Sequence, residues 1–256
     1  MPDSIATFVA EPVGAVQGAK YHNLLPITPS GSVLVIDIGA TSSCMSIVQD
    51  DDSVRYHSRL DGFGGETLVE ALMDYLSKSF YGSPFNDVQD KMGVQRLYDA
   101  AQDAVLEISG GNRNNHGRVQ INIPYLSVDE KMQPKHLDEG VSAKVLEAEF
   151  NDKVAREIVS EYAVKQGVLA QSLPNPNDLA SLLSSMIMQV MEQSSQNPFA
   201  LNSILVVGGG ARSPLIQNAI KKAVGSLAGE QFVEEKVVIP RDELIEELVV
   251  LGGTLN

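Results

Sequence analysis

Apolar and polar positions divide the first quarter of the chain into three short strands. Residues 33–38 form an apolar run rich in β-branched side chains, which predicts a buried strand. Residues 44–48 and 54–60 are two further strand candidates, and the residues 50–53 between them are turn formers. Because tight turns join all three strands, we predict an antiparallel meander. No regular element is predicted before Val33.

After residue 62 the apolar residues recur with the spacing of a helix instead of that of a strand. The first predicted helix has an apolar residue at every fourth position: Leu68, Leu72, Leu76 and Phe80. The second helix steps by three and four from Val94 to Ile108 and is closed by Gly110. A half-buried strand follows over 119–123, where apolar and polar residues alternate, and helices are predicted over 142–166 and 179–191.

The last third of the chain is a strand–turn–helix unit followed by two short elements. Residues 204–207 form an apolar strand, residues 208–210 a glycine turn, and Ser213-Pro214 the start of a helix. A short strand is predicted over 236–239, and Pro240 and Asp242 are predicted to open the final helix.

Composition excludes several classes of protein. The 256 residues are 43% hydrophobic and 20% charged, which is an ordinary globular composition, and the net charge is −14. This acidity argues against nucleic-acid binding, and no apolar run is long enough to span a membrane. The single cysteine excludes an internal disulfide and a multi-cysteine metal site, and the four histidines show no zinc spacing. We therefore expect a cytoplasmic protein.

Three glycine-rich turns are the candidate sites. Asp37 and Gly39–Ser42 follow the first buried strand, Gly208–Arg212 follow the strand 204–207, and Gly64-Gly65 precede a helix. Such turns can present backbone N–H groups to phosphate, an aspartate at a strand end can hold a metal-bound water, and an arginine can stack on a purine. Taken singly, the first turn is better explained as a plain hairpin and Gly64-Gly65 as a hinge or helix start, whereas the Gly208 turn is equally well explained as a tight turn with a solvated arginine.

Together, in this order, the turns resemble the second lobe of the nucleotide-binding domain of the 70-kDa heat-shock (DnaK-type) chaperone family, within the actin-like ATPase superfamily. Residues 33–45 resemble its second phosphate loop, Phe63–Glu66 its Leu-Gly-Gly-Glu motif, and 204–214 its adenosine motif. Residues 240–243 resemble its Pro-Asp-Glu, and Ala10-Glu11-Pro12 its Asn-Glu-Pro. The resemblance covers nearly all of residues 8–256.

The resemblance implies an α/β fold: an actin-like ATPase (ribonuclease H-like) lobe with an inserted α+β subdomain. After an N-terminal tail over 1–8, the inner subdomain would comprise 9–62 and 150–256. The outer subdomain would be 63–149.

The resemblance also implies the site residues. Asp37 would position a metal-bound water as the catalytic residue, with no direct metal ligand. The implied nucleotide-binding residues are Gly39, Ala40, Thr41, Ser42, Gly64, Gly65, Gln102, Ser109, Gly208, Gly209, Gly210, Arg212 and Asp242. The cofactor would be ATP or ADP with Mg²⁺, which needs the family's first lobe and would be bound weakly or not at all by this chain.

Several positions depart from the family pattern. Ala40 replaces a phosphate-loop glycine, and Cys44 stands where the family has a second aspartate near the metal. Val105 and Leu106 replace the lysine and arginine that clasp the adenosine, while Gln102 and Ser109 keep some hydrogen-bonding capacity. In addition, bulky residues 248–250 replace small Gly-Ala-Ala.

These departures favour an atypical chaperone or co-chaperone that binds ATP or ADP weakly, hydrolyses it poorly and acts as a regulatory partner of other chaperones. The alternatives are half of a competent ATP-hydrolysing chaperone or, less well supported, a sugar or acetate kinase of the same superfamily. The implied partners are the first lobe and peptide-binding domain of a longer parent, with a nucleotide-exchange factor or partner chaperone. We expect no nucleic acid and no membrane among them.

Overall fold

The protein is described by a computed structural model. It describes residues 9–25, 31–110, 118–160, 162, 178–195, 200–241, 244–245 and 247–254. Within these ranges no helix is long and apolar enough to cross a lipid bilayer.

The described elements are a mixture of helices and strands. The helices are α1 Glu11–Tyr21, α2 Gly65–Tyr81, α3 Lys91–Ser109, α4 Ala143–Lys153, α5 Leu179–Gln193, α6 Pro214–Ala228, α7 Glu230–Lys236 and α8 Glu247–Thr254. The strands are β1 Ser32–Ile38, β2 Ser42–Val48, β3 Val54–Asp61, β4 Arg118–Val128, β5 Pro134–Ser142, β6 Leu201–Val207 and β7 Val237–Val238. Short 3₁₀ turns occur at Phe85–Asp87 and Gly209–Arg212, and a π-helical turn, Val154–Val159, continues α4.

The chain divides into two compact units, residues 1–64 with 171–256 and residues 65–170. In the first unit five strands form one sheet in the order β3-β2-β1-β6-β7. The pairs β1–β2 and β2–β3 are antiparallel, which confirms the predicted meander. The pairs β1–β6 and β6–β7 are parallel. The predicted subdomain boundaries at 62 and 150 stay a prediction.

Alternate residues of β1 face opposite sides of this sheet and both sides are buried, which explains its continuous apolar sequence. One side packs against α1 and α8. The core on this side comprises Val13, Ala15, Val16, Ala19, Leu25, Val33, Val35, Val48, Leu205, Val207 and Leu248. On the other side, Leu34, Ile36 and Ile38 are fully buried. Helix α5 packs against β2 and β3.

Helices α1 and α8 cross at very short distance because glycines line the crossing. A Cβ atom at Gly252 would collide with the carbonyl oxygen of Gly14, and one at Gly18 would collide with that of Leu248. A Cβ atom at Gly14 would lie 2.8 Å from the carbonyl oxygen of Val249. Glycines on α1 thus make room for the bulky 248–250 segment of α8.

The second unit contains α2, α3, α4 and the two-stranded antiparallel sheet β4–β5. Helix α2 packs against α3 and α4, and α3 also packs against β4. Ser142 caps α4 by accepting the N–H of Val145 at 3.3 Å, as expected for a serine at this position. The predicted helix over 142–166 is therefore confirmed at its start, and most of its last residues lie outside the described ranges.

Four element predictions need correction. Helix α1 was not predicted, although Pro12 stands in its first turn, where proline is well tolerated. Strand β5 and helix α7 were also missed, because both are mostly polar and α7 is also short. The last helix begins at Glu247 rather than at Pro240. Among the described residues between these two positions, Leu244 and Ile245 donate their backbone N–H groups to the carbonyl of Arg241 at 2.8 and 3.1 Å.

Candidate nucleotide-binding site

The ends of two neighbouring parallel strands bring two of the glycine turns together. Strand β1 ends at Ile38 and β6 at Val207, and Asp37 lies opposite Val207 in the register. Carboxyl ends of adjacent parallel strands meet at one edge of a sheet, where ligands of open α/β sheets usually bind. The loop after β1 and the glycine turn after β6 therefore lie side by side.

The loop after β1 is a tight hairpin turn. Gly39 donates its N–H to the carbonyl of Ser42 at 2.9 Å, so this amide is already engaged within the turn. Ala40 and Thr41 are exposed at the tip, and their backbone N–H groups donate no hydrogen bond to the described part of the chain. Of the predicted loop donors, these two amides and the half-buried Ser42 are accessible to a ligand.

The segment between β3 and α2 is fastened to this hairpin. Ser43 Oγ donates to the carbonyl of Phe63 at 2.8 Å, and the Gly62 amide donates to the carbonyl of Thr41 at 2.9 Å. Gly64 packs directly on the loop, because a Cβ atom there would collide with the carbonyl of Ala40. Gly64 thus contributes the close backbone approach that shapes the loop.

The turn after β6 depends on Gly208. This residue has φ of +90°, and a Cβ atom would collide with a carboxylate oxygen of Asp37 and with the carbonyl of Ile38. Its own N–H donates to the carbonyl of Ile245 at 3.1 Å. Gly209 is half-buried and Gly210 buried in the following 3₁₀ turn, which also holds the half-buried Arg212.

Both turns border one cavity of about 370 Å³. Its lining residues are Glu11, Asp37, Gly39, Ser42, Cys44, Arg59, Gly208, Gly209, Ile245, Val249 and Val250. Asp37, Cys44 and Arg59 lie directly opposite one another on the three strands β1, β2 and β3. Side chains directly opposite in neighbouring strands share one face of the sheet, so these three form a row along the cavity.

Carboxyl groups dominate the electrostatics around this row. Burial, and secondarily the negative charge of Glu11, raise the pKa of Asp37 to about 6. Burial and the nearby Asp37 also raise the pKa of the Cys44 thiol, so this cysteine is a neutral group. Arg59 forms an ion pair with Asp61, with 2.6 Å between Nε and Oδ1.

The described residues contain no cluster of three His, Cys, Asp or Glu side chains that could hold a metal ion directly. Asp37 can still accept a hydrogen bond from a water molecule bound to a metal that arrives with a ligand. Asp37 and Glu11 are the carboxylates among the residues that line the cavity.

The remaining predicted residues lie in the second unit or outside the described residues. Gly65 is the first residue of α2, and Gln102 and Ser109 lie on α3. On that helix Gln102 is exposed, Leu106 is 59% exposed and Val105 is buried in the core of its unit. Asp242 lies outside the described residues.

Sequence reasoning overlooked Arg59 and Glu11 as site residues. Arg59 follows Cys44 by fifteen positions, and only the strand register places the two side by side. The predicted meander contained this information in principle, since its turn length sets which residues of β2 and β3 are opposite one another.

A model of the Hsp70 protein family matches residues 27–178. The chain belongs to the Hsp70 family. This confirms the resemblance found from the glycine motifs. Together with the five-stranded mixed sheet and its helices, membership establishes the predicted α/β fold, that of an actin-like ATPase lobe in an Hsp70 domain.

Curated proteins that this chain is similar to include three chaperone proteins. The chain is 27% identical to chaperone protein dnaK1 of Synechococcus elongatus, in an alignment that covers 98% of this chain and 34% of that protein. The same values hold for chaperone protein DnaK 3 of Synechococcus sp.. Chaperone protein dnaK3 of Synechocystis sp. is 24% identical, over 80% of this chain and 23% of that protein. The chain thus spans about a third or less of these relatives.

Proposed function

We propose that this Hsp70 chain is a nucleotide-binding lobe that holds ATP or ADP weakly and acts mainly as a regulatory, co-chaperone-like partner in protein folding. The observation that carries the proposal is the cavity at the ends of β1 and β6, which the two glycine turns border. Glycine turns at adjacent parallel strand ends are a common way to hold a phosphate.

The residues present fit a nucleotide. The exposed amides of Ala40 and Thr41 and the hydroxyl of Ser42 would hold phosphate oxygens. Gly209, Gly210 and Arg212 would hold the adenosine, and we extend this role to Asp242. Mg²⁺ carried in with the nucleotide would neutralise phosphate charge, and Asp37 would orient one of its water ligands.

Three features support weak binding. Asp37 and Glu11 place two carboxyl groups in the cavity of a chain whose net charge is already −14, so a polyphosphate meets a repulsive field. The Gly39 and Gly208 amides are already bonded to carbonyl groups. On α3, where the family resemblance places a lysine and an arginine, Val105 is a core residue and the exposed Leu106 has no charge to offer.

Hydrolysis is expected to be poor for a related reason. Cys44 is neutral at physiological pH and cannot replace a carboxylate in orienting a metal-bound water. We therefore expect no measurable phosphate release by this chain. The proposed partners are a first lobe, a peptide-binding domain, and a nucleotide-exchange factor or partner chaperone.

Calorimetric titration with Mg·ATP and Mg·ADP, applied to this chain and to any longer protein that contains it, tests the proposal. We expect dissociation constants well above the micromolar range, without turnover. Micromolar or tighter binding with sustained phosphate release would instead identify a competent ATPase.

A restoring substitution sharpens this experiment. Leu106→Arg adds a guanidinium at the position where the family resemblance places an adenosine-clasping arginine, and we expect Mg·ADP to bind about tenfold more tightly. Met92→Arg is the matched control, because Met92 is also an exposed apolar residue of α3. Equal gains in both variants would show a general charge effect and refute the predicted adenosine side.

A further inference from the structure

Arg59 is the one cationic residue among those that line the cavity within the described part of the chain. It lies on β3 directly opposite Cys44, which in turn lies opposite Asp37 on β1. The guanidinium interacts electrostatically with Glu11, another lining residue. Its position in the cavity therefore rests on strand register, on the cavity lining and on charge.

The guanidinium is only partly used by its neighbours. Nε donates to Asp61 at 2.6 Å, whereas the two terminal nitrogens make no hydrogen bond to the described residues. The side chain is 56% exposed. A planar guanidinium with its terminal nitrogens accessible can bind two phosphate oxygens at once.

We propose that Arg59 binds the terminal phosphate of a polyphosphate ligand in this cavity through its two terminal guanidinium nitrogens. This rests on the proposed function, in which the cavity takes the phosphates of ATP or ADP. Arg59 would be a phosphate-binding residue that no glycine motif indicates.

A cysteine at position 44 is consistent with phosphate binding by Arg59. A carboxylate at position 44 would lie directly across from Arg59 at the short distance of cross-strand neighbours and would form an ion pair with it. The small, neutral thiol of Cys44 leaves the guanidinium to the ligand. The proposal therefore makes a counterintuitive prediction: Cys44→Asp, which restores the family's carboxylate, weakens polyphosphate binding to this chain.

The experiment is a calorimetric titration of the full chain with inorganic tripolyphosphate, and with ADP, both without added magnesium. We expect Arg59→Ala to weaken tripolyphosphate binding at least tenfold, Arg59→Lys to weaken it less, and Cys44→Asp to weaken it several-fold. Arg55→Ala is the matched control, because it removes the same charge from the same strand at a residue outside the cavity lining. Thermal melting checks that each variant is folded.

Asp61→Asn provides a test in the opposite direction. It removes the carboxylate that competes for Arg59, so tripolyphosphate should bind a few-fold more tightly. Asp52→Asn, at the turn between β2 and β3, is its control for the loss of one negative charge.

Each outcome decides between the hypotheses. Unchanged binding in Arg59→Ala, equal losses in Arg59→Ala and Arg55→Ala, or tighter binding in Cys44→Asp would overturn the role of Arg59, as would a wild-type chain that does not bind tripolyphosphate. Wild-type chain that binds tripolyphosphate but neither ADP nor Mg·ADP would instead refute the proposed nucleotide binding and leave the role of Arg59 intact.

Discussion

The two units of this protein differ in how they compensate the charge of a side chain that is shielded from solvent, as Lys153 of the second unit and Asp37 of the first unit show. In the second unit Lys153 is 7% exposed and forms ion pairs with Glu157 at 2.8 Å and with Glu70 at 3.1 Å. Burial alone would lower its pKa, but the hydrogen bonds that the ammonium donates to these two carboxylates raise it. In the first unit Asp37 is partly buried beside Glu11, and its pKa rises to about 6.

We interpret Lys153 as a structural charge and Asp37 as a candidate functional one. The buried lysine is compensated by its own unit, which makes it part of the packing between α2 and α4. The aspartate has an acidic neighbour, so the folded protein retains an unfavourable charge at the edge of the cavity. Strongly perturbed groups in a cleft are typical of functional sites, because a ligand or metal-bound water there can supply the missing compensation.

The largest expected change in stability comes from removing the two carboxylates that neutralise the charge of Lys153. The double variant Glu70→Gln/Glu157→Gln leaves a buried ammonium without a counter-charge and should lower the free energy of unfolding by about 3–5 kcal/mol. Urea unfolding followed by circular dichroism measures this. A loss below about 1 kcal/mol would mean that water reaches the ammonium, and the contrast between Lys153 and Asp37 would disappear.

The second prediction concerns the helix crossing beside the cavity. Gly252→Ala forces α8 away from the backbone of α1 and should destabilise the protein by about 3 kcal/mol. Gly253→Ala is the matched control. A Cβ atom at Gly253 meets nothing within 4 Å, so this substitution should stabilise α8 by about 0.5–1 kcal/mol. Thermal melting of both variants tests the prediction, and similar behaviour of the two would contradict the tight crossing.

The third prediction concerns Asp37. Because its pKa is raised in the folded state, the folded protein binds a proton more tightly than the unfolded chain, and stability falls as pH rises from about 4 to about 6. Asp37→Asn should therefore be about 2 kcal/mol more stable than the wild type at pH 7.5, and nearly equal to it at pH 4. Urea unfolding at both pH values measures this difference. A gain that does not depend on pH would show that the carboxylate charge is not the cause.

The smallest effect is expected for an exposed ion pair of the second unit. Arg156 and Asp152 are bonded at 2.7 Å on the surface, about half exposed, with i, i+4 spacing. Asp152→Asn should change the free energy of unfolding by less than about 0.5 kcal/mol, because solvent screens such pairs. It is measured in the same urea series as the double variant at Lys153. A loss comparable to that of the double variant would show that burial does not distinguish the two ion pairs.

Local pattern explains why much of the fold could be predicted. Apolar runs and turn residues predicted β1, β2 and β3, and an apolar residue at every fourth position predicted α2. By contrast, α1 has small residues instead of a marked apolar stripe, since its glycines serve the crossing with α8. Strand β5 was missed because its exposed positions are mostly polar.

The sequence by itself determined the family, the order of the strands in the meander, and the glycine turns at which a ligand can approach the backbone. All three follow from residues that are close together in the chain, because the apolar pattern and the conformational freedom of glycine are local properties. Only the tertiary structure decided that Arg59 shares a row with Cys44 and Asp37, and that the Asp37 carboxyl titrates near pH 6. Strand register and burial combine residues that are far apart in the chain, and those two quantities set the charge that a ligand would meet.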